Sequence, residues 1–234
     1  MKAVLSGVYT FTGLVTGRVY AIEDVDGLTL VDAGLSFAPG RIVGQLGAAG
    51  YAPGDVRRIL VTHAHPDHVG GLPELKALTG AEVIASMGER PVVEGRVPIA
   101  RPEPERLSGP QRLLRPSETT LPGTPVDRVV ADGETLPEVM GGLTAIATPG
   151  HAPGHLAFWH PGRRILFCGD TIMHLVGRLR LPPAFLTVDG EENKRSIRRL
   201  MELGANVVCF GHGPPLTVDT DRTMLRFARD AGVL

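Results

Sequence analysis

Ten residues, Thr62-His63-Ala64-His65-Pro66-Asp67-His68-Val69-Gly70-Gly71, constrain this chain more than any other stretch. They follow directly on Arg57 to Thr62 (RRILVT), an apolar run that reads as a strand. The chain holds only 8 histidines in 234 residues, yet His63, His65 and His68 fall within one six-residue window. On an extended segment residues i and i+2 point the same way, so His63 and His65 can grip one metal ion. Beyond Pro66 the backbone must turn, which aims Asp67 and His68 at a neighbouring position; two cations are suggested. Four donors from one segment cannot complete two metal sites, so other segments must supply more. Three do so, each after an apolar run and each beside glycine: His151 in TPGH, Asp170 in FCGD and His212 in FGHG.

The rest of the sequence supplies that framework. Val19 to Glu23 and Leu28 to Asp32, parted by Asp26-Gly27, read as a hairpin. A helix is expected over about 39 to 49, a second over 72 to 78 closed by Gly80, and a strand over 82 to 86. Residues 88 to 125 hold eight of the 20 prolines and only a short helix around Glu105 to Leu114, so they read as an insertion or lid. Strands return at 128 to 131, 143 to 148, 156 to 159, 165 to 168 and 207 to 210. Between the last two lies a helix over 191 to 203, with Asp189 as N-cap and Gly204 as its stop; another closes the chain over 222 to 231. Strands alternating with helices make an α/β domain, here one domain over 1–234.

Composition narrows the partners. The chain is 43% apolar and 21% charged with a net charge of −1, which fits a globular protein and gives no reason to expect nucleic acid or an anionic membrane. No run approaches the roughly 18 to 20 apolar residues of a membrane helix. The start, MKAVLSGVYTFTGL, is a poor secretory signal, and two cysteines make no disulfide framework, so a cytoplasmic protein is expected. A small-molecule substrate is expected, and a homodimer stays open.

THAHPDHVGG, TPGHAPGH, FCGDT and FGHGPPL together resemble the successive motifs of the metallo-β-lactamase superfamily, and VDAG, ending a strand at Asp32, resembles its first motif. The likeness spans nearly the whole chain. It implies a four-layer αββα sandwich of two mixed sheets with metals at one edge. It also implies that His63, His65 and His151 hold a first metal, and that Asp67, His68 and His212 hold a second. Asp170 would bridge the two, and Asp32 would orient a ligand from behind.

Five imidazoles and two carboxylates suit zinc, while iron or manganese suits similar sites. A bridging hydroxide attacking an activated carbonyl is then expected, with Asp67 or Asp170 as proton acceptor. Hydrolysis of a small activated ester follows, a thioester as in glyoxalase II-like enzymes or a lactone as in acyl-homoserine lactonases. The lactonases place a tyrosine shortly after the bridging aspartate, where this chain reads Thr171, Ile172 and Met173; the glyoxalase pattern carries a longer C-terminal region. A mononuclear iron persulfide dioxygenase is the alternative, and a non-catalytic metal-binding module a third. His155 is expected to make a structural hydrogen bond near the site, His174 is a candidate to contact substrate, and His160, before Pro161, is expected in an exposed turn.

Overall fold

The computed structural model describes residues 1–234 throughout. Its strands are β1 (Lys2–Leu5), β2 (Val8–Thr10), β3 (Tyr20–Asp24), β4 (Gly27–Val31), β5 (Val56–Leu60), β6 (Glu82–Ser86), β7 (Arg128–Val130), β8 (Thr135–Leu136), β9 (Leu143–Ala147), β10 (Leu156–His160), β11 (Ile165–Gly169), β12 (Met173–Leu175), β13 (Arg178–Arg180) and β14 (Val207–Phe210). The α-helices are α1 (Pro39–Ala48), α2 (Pro66–Val69), α3 (Leu72–Thr79), α4 (Arg90–Val93), α5 (Gly109–Leu114), α6 (Gly190–Glu202) and α7 (Thr220–Asp230). Strands β1 to β7 form one sheet in chain order, antiparallel up to β4 and parallel from β4 onward. The second sheet runs β14-β11-β10-β9-β8, with β11 and β14 its one parallel pair.

Side-chain alternation turns these two sheets into four layers. In β4, Leu28 and Leu30 face α1 and α3, where Ile42, Leu46, Leu72 and Leu75 meet them, while Val31 faces the other sheet. In β11, Ile165 and Phe167 point into the space between the sheets, and Leu166 and Cys168 point out towards Ile197 of α6 and Phe227 of α7. A strand buried on both faces must be apolar at every position, which is what ILFC supplies. The αββα sandwich expected from the sequence is the architecture found. No helix is long and apolar enough to cross a membrane.

Local expectations hold at α6, where Asp189 Oδ1 accepts from the Glu191 and Glu192 N–H groups at 3.0 and 2.9 Å. They fail in three places. The helix expected over 105 to 114 is split into a 3-10 turn at Pro104–Arg106 and α5, because Pro110 can start a helix but cannot lie inside one. The hairpin β12–β13 has no counterpart in the sequence reading; its turn passes through Val176 with φ +51°, a position a β-branched residue rarely takes. His160 is not in an exposed turn: it ends β10 opposite Ile165, half-buried, with Nε2 3.0 Å from Met140 O. Pro161 ends the strand but favours extended backbone in the residue before it. The proline-rich segment is pinned to the molecule by Val92, Val93, Ile99 and Leu121, all buried against the α1 and α3 side of the first sheet.

Candidate metal centre

The candidate residues gather because strands that run the same way end at the same edge. Asp32 follows β4 and His63 follows the parallel β5; Asp170 follows β11 and His212 follows the parallel β14. β9 lies two antiparallel steps from β11 and therefore runs with it, delivering His151 to the same edge. The one-turn helix α2, opened by Pro66, brings Asp67 and His68 towards His212, while the His68 ring stays packed 4.2 Å from that of His63. Gly211 is needed here for space: a Cβ on it would run into Asp170 Oδ1 and stand 2.8 Å from the His68 ring.

Three groups of donors result: His63, His65 and His151; His63, His68 and Asp170; and Asp67, His68 and His212. In the first, His65 Nδ1 lies 3.1 Å from His63 Nε2 and 3.0 Å from His151 Nε2. In the third, His212 Nε2 lies 3.2 Å from Asp67 Oδ2, and His68 Nε2 lies 4.0 Å from the same oxygen. Asp170 stands between: its Oδ2 is 3.1 Å from His212 Nε2, 3.6 Å from His151 Nε2 and 4.0 Å from His63 Nε2. His68 Nε2 and Asp170 Oδ1 are buried without a hydrogen-bond partner. Buried, unsatisfied nitrogen and oxygen atoms converging at these spacings are what a divalent cation completes, so the donor set fits metal.

The surrounding hydroxyls decide which ring nitrogen is bare. Thr62 Oγ1 donates to the Asp32 carboxylate at 2.9 Å, so its lone pair is left to accept from His63 Nδ1 at 3.0 Å. Neutral His63 must then present Nε2 as a lone pair. Thr187 repeats the arrangement, donating to Pro183 O at 2.9 Å and standing 3.3 Å from His151 Nδ1. Thr16 does so again, donating to Asp67 Oδ2 at 3.2 Å with His212 Nδ1 at 3.4 Å. Asp32 acts directly on His68, whose Nδ1 lies 2.8 Å from Oδ2. Four imidazoles are thus turned so that Nε2 faces the cluster, with Asp32 behind His68.

Charge differs between the two ends. Burial pushes His63 and His151 well below the ordinary imidazole value and His65 down to about 4, so all three are neutral. Burial acts the same way on His212, but hydrogen bonds to Asp170 and Asp67 outweigh it and raise that group to about 9. His68 is also raised well above its usual value, because the carboxylates of Asp170, Asp32 and Asp67 overcome its burial. Those carboxylates gain in return: against burial, His68 and His212 hold Asp67 and Asp170 well below the usual range.

His155 makes the structural bond expected of it. Its Nε2 accepts from the Asp170 N–H at 3.1 Å and its Nδ1 meets Thr148 Oγ1 at 2.7 Å, which fixes the loop that carries Asp170. His174 belongs to the rim, its N–H donating to His212 O at 2.9 Å and its Nδ1 to Pro214 O at 2.7 Å. Besides the threonines, two supporting residues escaped the sequence reading. Glu89 is buried inside the first cluster's support: Oε2 accepts from Ala64 N and Oε1 from Gly154 N, both at 2.8 Å. It therefore ties the His63–His65 strand end to the loop after His151. The only signal was an acid soon after strand β6, in the place where Asp32 follows β4. Arg18 brackets His212, its N–H donating to Gly211 O at 2.7 Å and its Nε to Gly213 O; nothing in the sequence marks it.

The metallo-beta-lactamase superfamily model matches residues 12–212. The chain belongs to that superfamily. It is 29% identical over 219 residues to a probable metallo-hydrolase of Bacillus subtilis (strain 168), covering 86% of this chain and 81% of the relative. It is 33% identical over 172 residues to a hydroxyacylglutathione hydrolase of Methylococcus capsulatus, covering 73% of this chain but 52% of that enzyme, so about half of the longer protein has a counterpart here. Among solved structures, a metallo-beta-lactamase family protein of Thermus thermophilus superposes with a TM-score of 0.68 at 29% identity, covering 96% of this chain and 79% of the other. A metallo-beta-lactamase of Cronobacter sakazakii gives 0.68 at 25%, covering 90% and 77%. Superfamily and relatives together make the chain a metal-dependent hydrolase.

Proposed function

We propose that the protein is a dinuclear hydrolase of small activated esters, thioesters or lactones. His63, His65 and His151 hold the first cation in this reading, Asp67, His68 and His212 the second, and Asp170 both; zinc suits the donors, as do iron and manganese. The observation that carries the proposal is Asp170, whose one carboxylate oxygen lies within 4.0 Å of histidines from both groups. Bound there, two divalent cations supply a water of pKa about 7 and polarise the substrate carbonyl.

The chain's own residues do the rest. Asp67 is the proton acceptor: 22% of its side-chain surface is exposed, and its partners Thr16 and His212 line a cavity of about 580 Å³. Leu14, Val15 and Leu175 give that cavity an apolar wall for the body of a small substrate. Thr62, Thr187, Thr16 and Asp32 keep the imidazoles from turning during turnover. The likeness to hydroxyacylglutathione hydrolases favours a thioester as the first substrate class to try.

Asp170→Asn tests the reading. In a folded, metal-loaded variant, thioester and lactone turnover should fall by at least about 1,000-fold, beyond the 10- to 100-fold typical of a residue that only orients a ligand. Wild-type rates in that variant would refute the assignment.

A further inference from the structure

The cavity of about 580 Å³ beside His212 has cations on its wall and no acid: Lys2 and Arg18 line it together, and no Asp or Glu does. The register of the first sheet brings those two side chains to one place. Lys2 of β1 stands opposite Thr10 of β2, and residues opposite one another in an antiparallel pair point to the same face. Thr10, which also lines the cavity, donates from Oγ1 to Val19 O at 3.3 Å and accepts there from Arg18 Nη1, again at 3.3 Å. Lys2 and Arg18 therefore meet over a single threonine.

Arg18 is half-buried and fixed from two sides, Nε donating to Gly213 O and Nη1 to Thr10, which leaves Nη2 without a partner in the protein. Arg58 and Arg128, on other strands of the same sheet, are matched with acids, the first with Asp24 and Asp26 and the second with Glu134 and Glu138; Lys2 and Arg18 are not. A guanidinium held part-way out of water with no counter-ion is costly, and a planar oxyanion is what its open edge fits. The place is next to the second cluster, because Arg18 grips both neighbours of His212, Gly211 through its backbone N–H and Gly213 through Nε. The apolar wall of Leu14, Val15 and Leu175 belongs to the same cavity, so one ligand can reach both.

We propose that Arg18 and Lys2 bind a carboxylate or phosphate carried by the substrate, so that the esters hydrolysed are anionic and lie in this cavity with their charge at the Thr10 wall and the reacting carbonyl towards His212. This rests on the hydrolase reading above. The test uses the metal-loaded enzyme and three thioesters: S-pentanoyl N-acetylcysteamine, which is neutral; S-glutaryl N-acetylcysteamine, charged on the acyl side; and S-pentanoyl mercaptopropionate, charged on the thiol side. Wild type should favour one of the anionic esters over the neutral one by at least about tenfold in kcat/KM, and the better of them names the charged end. Arg18→Gln should cut that preference by about tenfold or more. Lys2→Glu, at an exposed position, should cut it by about 3- to 10-fold. Both act through KM, and the ratio of two esters cancels any loss that Arg18→Gln causes by loosening His212.

Pentanoate, glutarate and phosphonobutyrate, titrated calorimetrically into the metal-loaded proteins, read the site without turnover, because they share one carboxylate and differ at the far end. Wild type should bind a doubly charged ligand at least about tenfold tighter than pentanoate, and Arg18→Gln should erase most of that difference. The tighter of glutarate and phosphonobutyrate tells carboxylate from phosphate. Equal cleavage of neutral and anionic esters, equal binding of the three ligands, or a preference that both substitutions leave intact overturns the proposal. If wild type cleaves no ester but its preference for a doubly charged ligand is lost on Arg18→Gln, the choice of ester fails and the anion site stands.

Discussion

His63, His65 and His151, the first cluster, are at most 6% exposed, whereas Asp67 and His212 of the second show 22% and 16% of their side-chain surface. The first is all imidazole and neutral through burial; the second mixes a carboxylate with two imidazoles that Asp67, Asp170 and Asp32 hold protonated. The supports differ as well. Glu89 and Thr62 lie buried within the molecule behind the first cluster, while Thr16 comes from a loop on the wall of the 580 Å³ cavity. Under the proposed function, the first half would hold a cation in fixed geometry and the second would face substrate and exchange protons.

Removing the support of the closed half should give the largest difference between them. Glu89→Gln replaces one of two acceptor oxygens with a donor and leaves Ala64 N or Gly154 N buried and unsatisfied. Affinity at the first cluster should drop by about 10- to 100-fold, with a stability loss of about 1–3 kcal/mol. Metal titration followed by thermal melting would show both, and equal weakening of the two clusters would break the distinction. A smaller effect separates the threonines. Thr62→Val strands His63 Nδ1 in the interior and takes one of three donors from the Asp32 carboxylate, so it should weaken metal binding by about tenfold. Thr16→Val sits where water can replace the hydroxyl and should change binding by no more than about 3-fold.

The subtlest difference is in protons. A raised histidine pKa means that the metal-free protein gains stability from His212 fully below pH 6.5 and loses it as pH rises through about 9. A cation must displace that proton, so loading of the second cluster should strengthen from pH 6 to pH 9 and release protons, while the neutral first cluster releases none over that range. Calorimetry in two buffers of different ionisation enthalpy would count them. Proton release confined to the first cation bound would contradict the comparison.

The two halves were not equally legible in the sequence. His63, His65, Asp67 and His68 announce themselves by crowding, and His151, Asp170 and His212 by following an apolar strand and adjoining a glycine. Asp32 is marked only by the likeness of VDAG to the superfamily's first motif. The four layers came with the superfamily likeness, and the structure supplies their physical basis, since a segment such as ILFC is apolar throughout because both of its faces are buried. What stayed hidden depends on contacts between distant segments. Glu89 meets Ala64 from 25 residues away and Gly154 from 65, and the threonines are common polar residues until a carboxylate and an imidazole are set on either side of them. The β12–β13 hairpin turns at Val176-Gly177, a pair that carries no turn signal of its own, and Pro110 divided a helix that its neighbours would have allowed.

Metal content per chain, by elemental analysis of protein purified without added metal, tests the account most directly. Wild type should carry about two zinc or manganese ions, and His212→Ala, which cuts into the second group alone, about one. A single iron per chain in wild type, unchanged by His212→Ala, would contradict a dinuclear hydrolase.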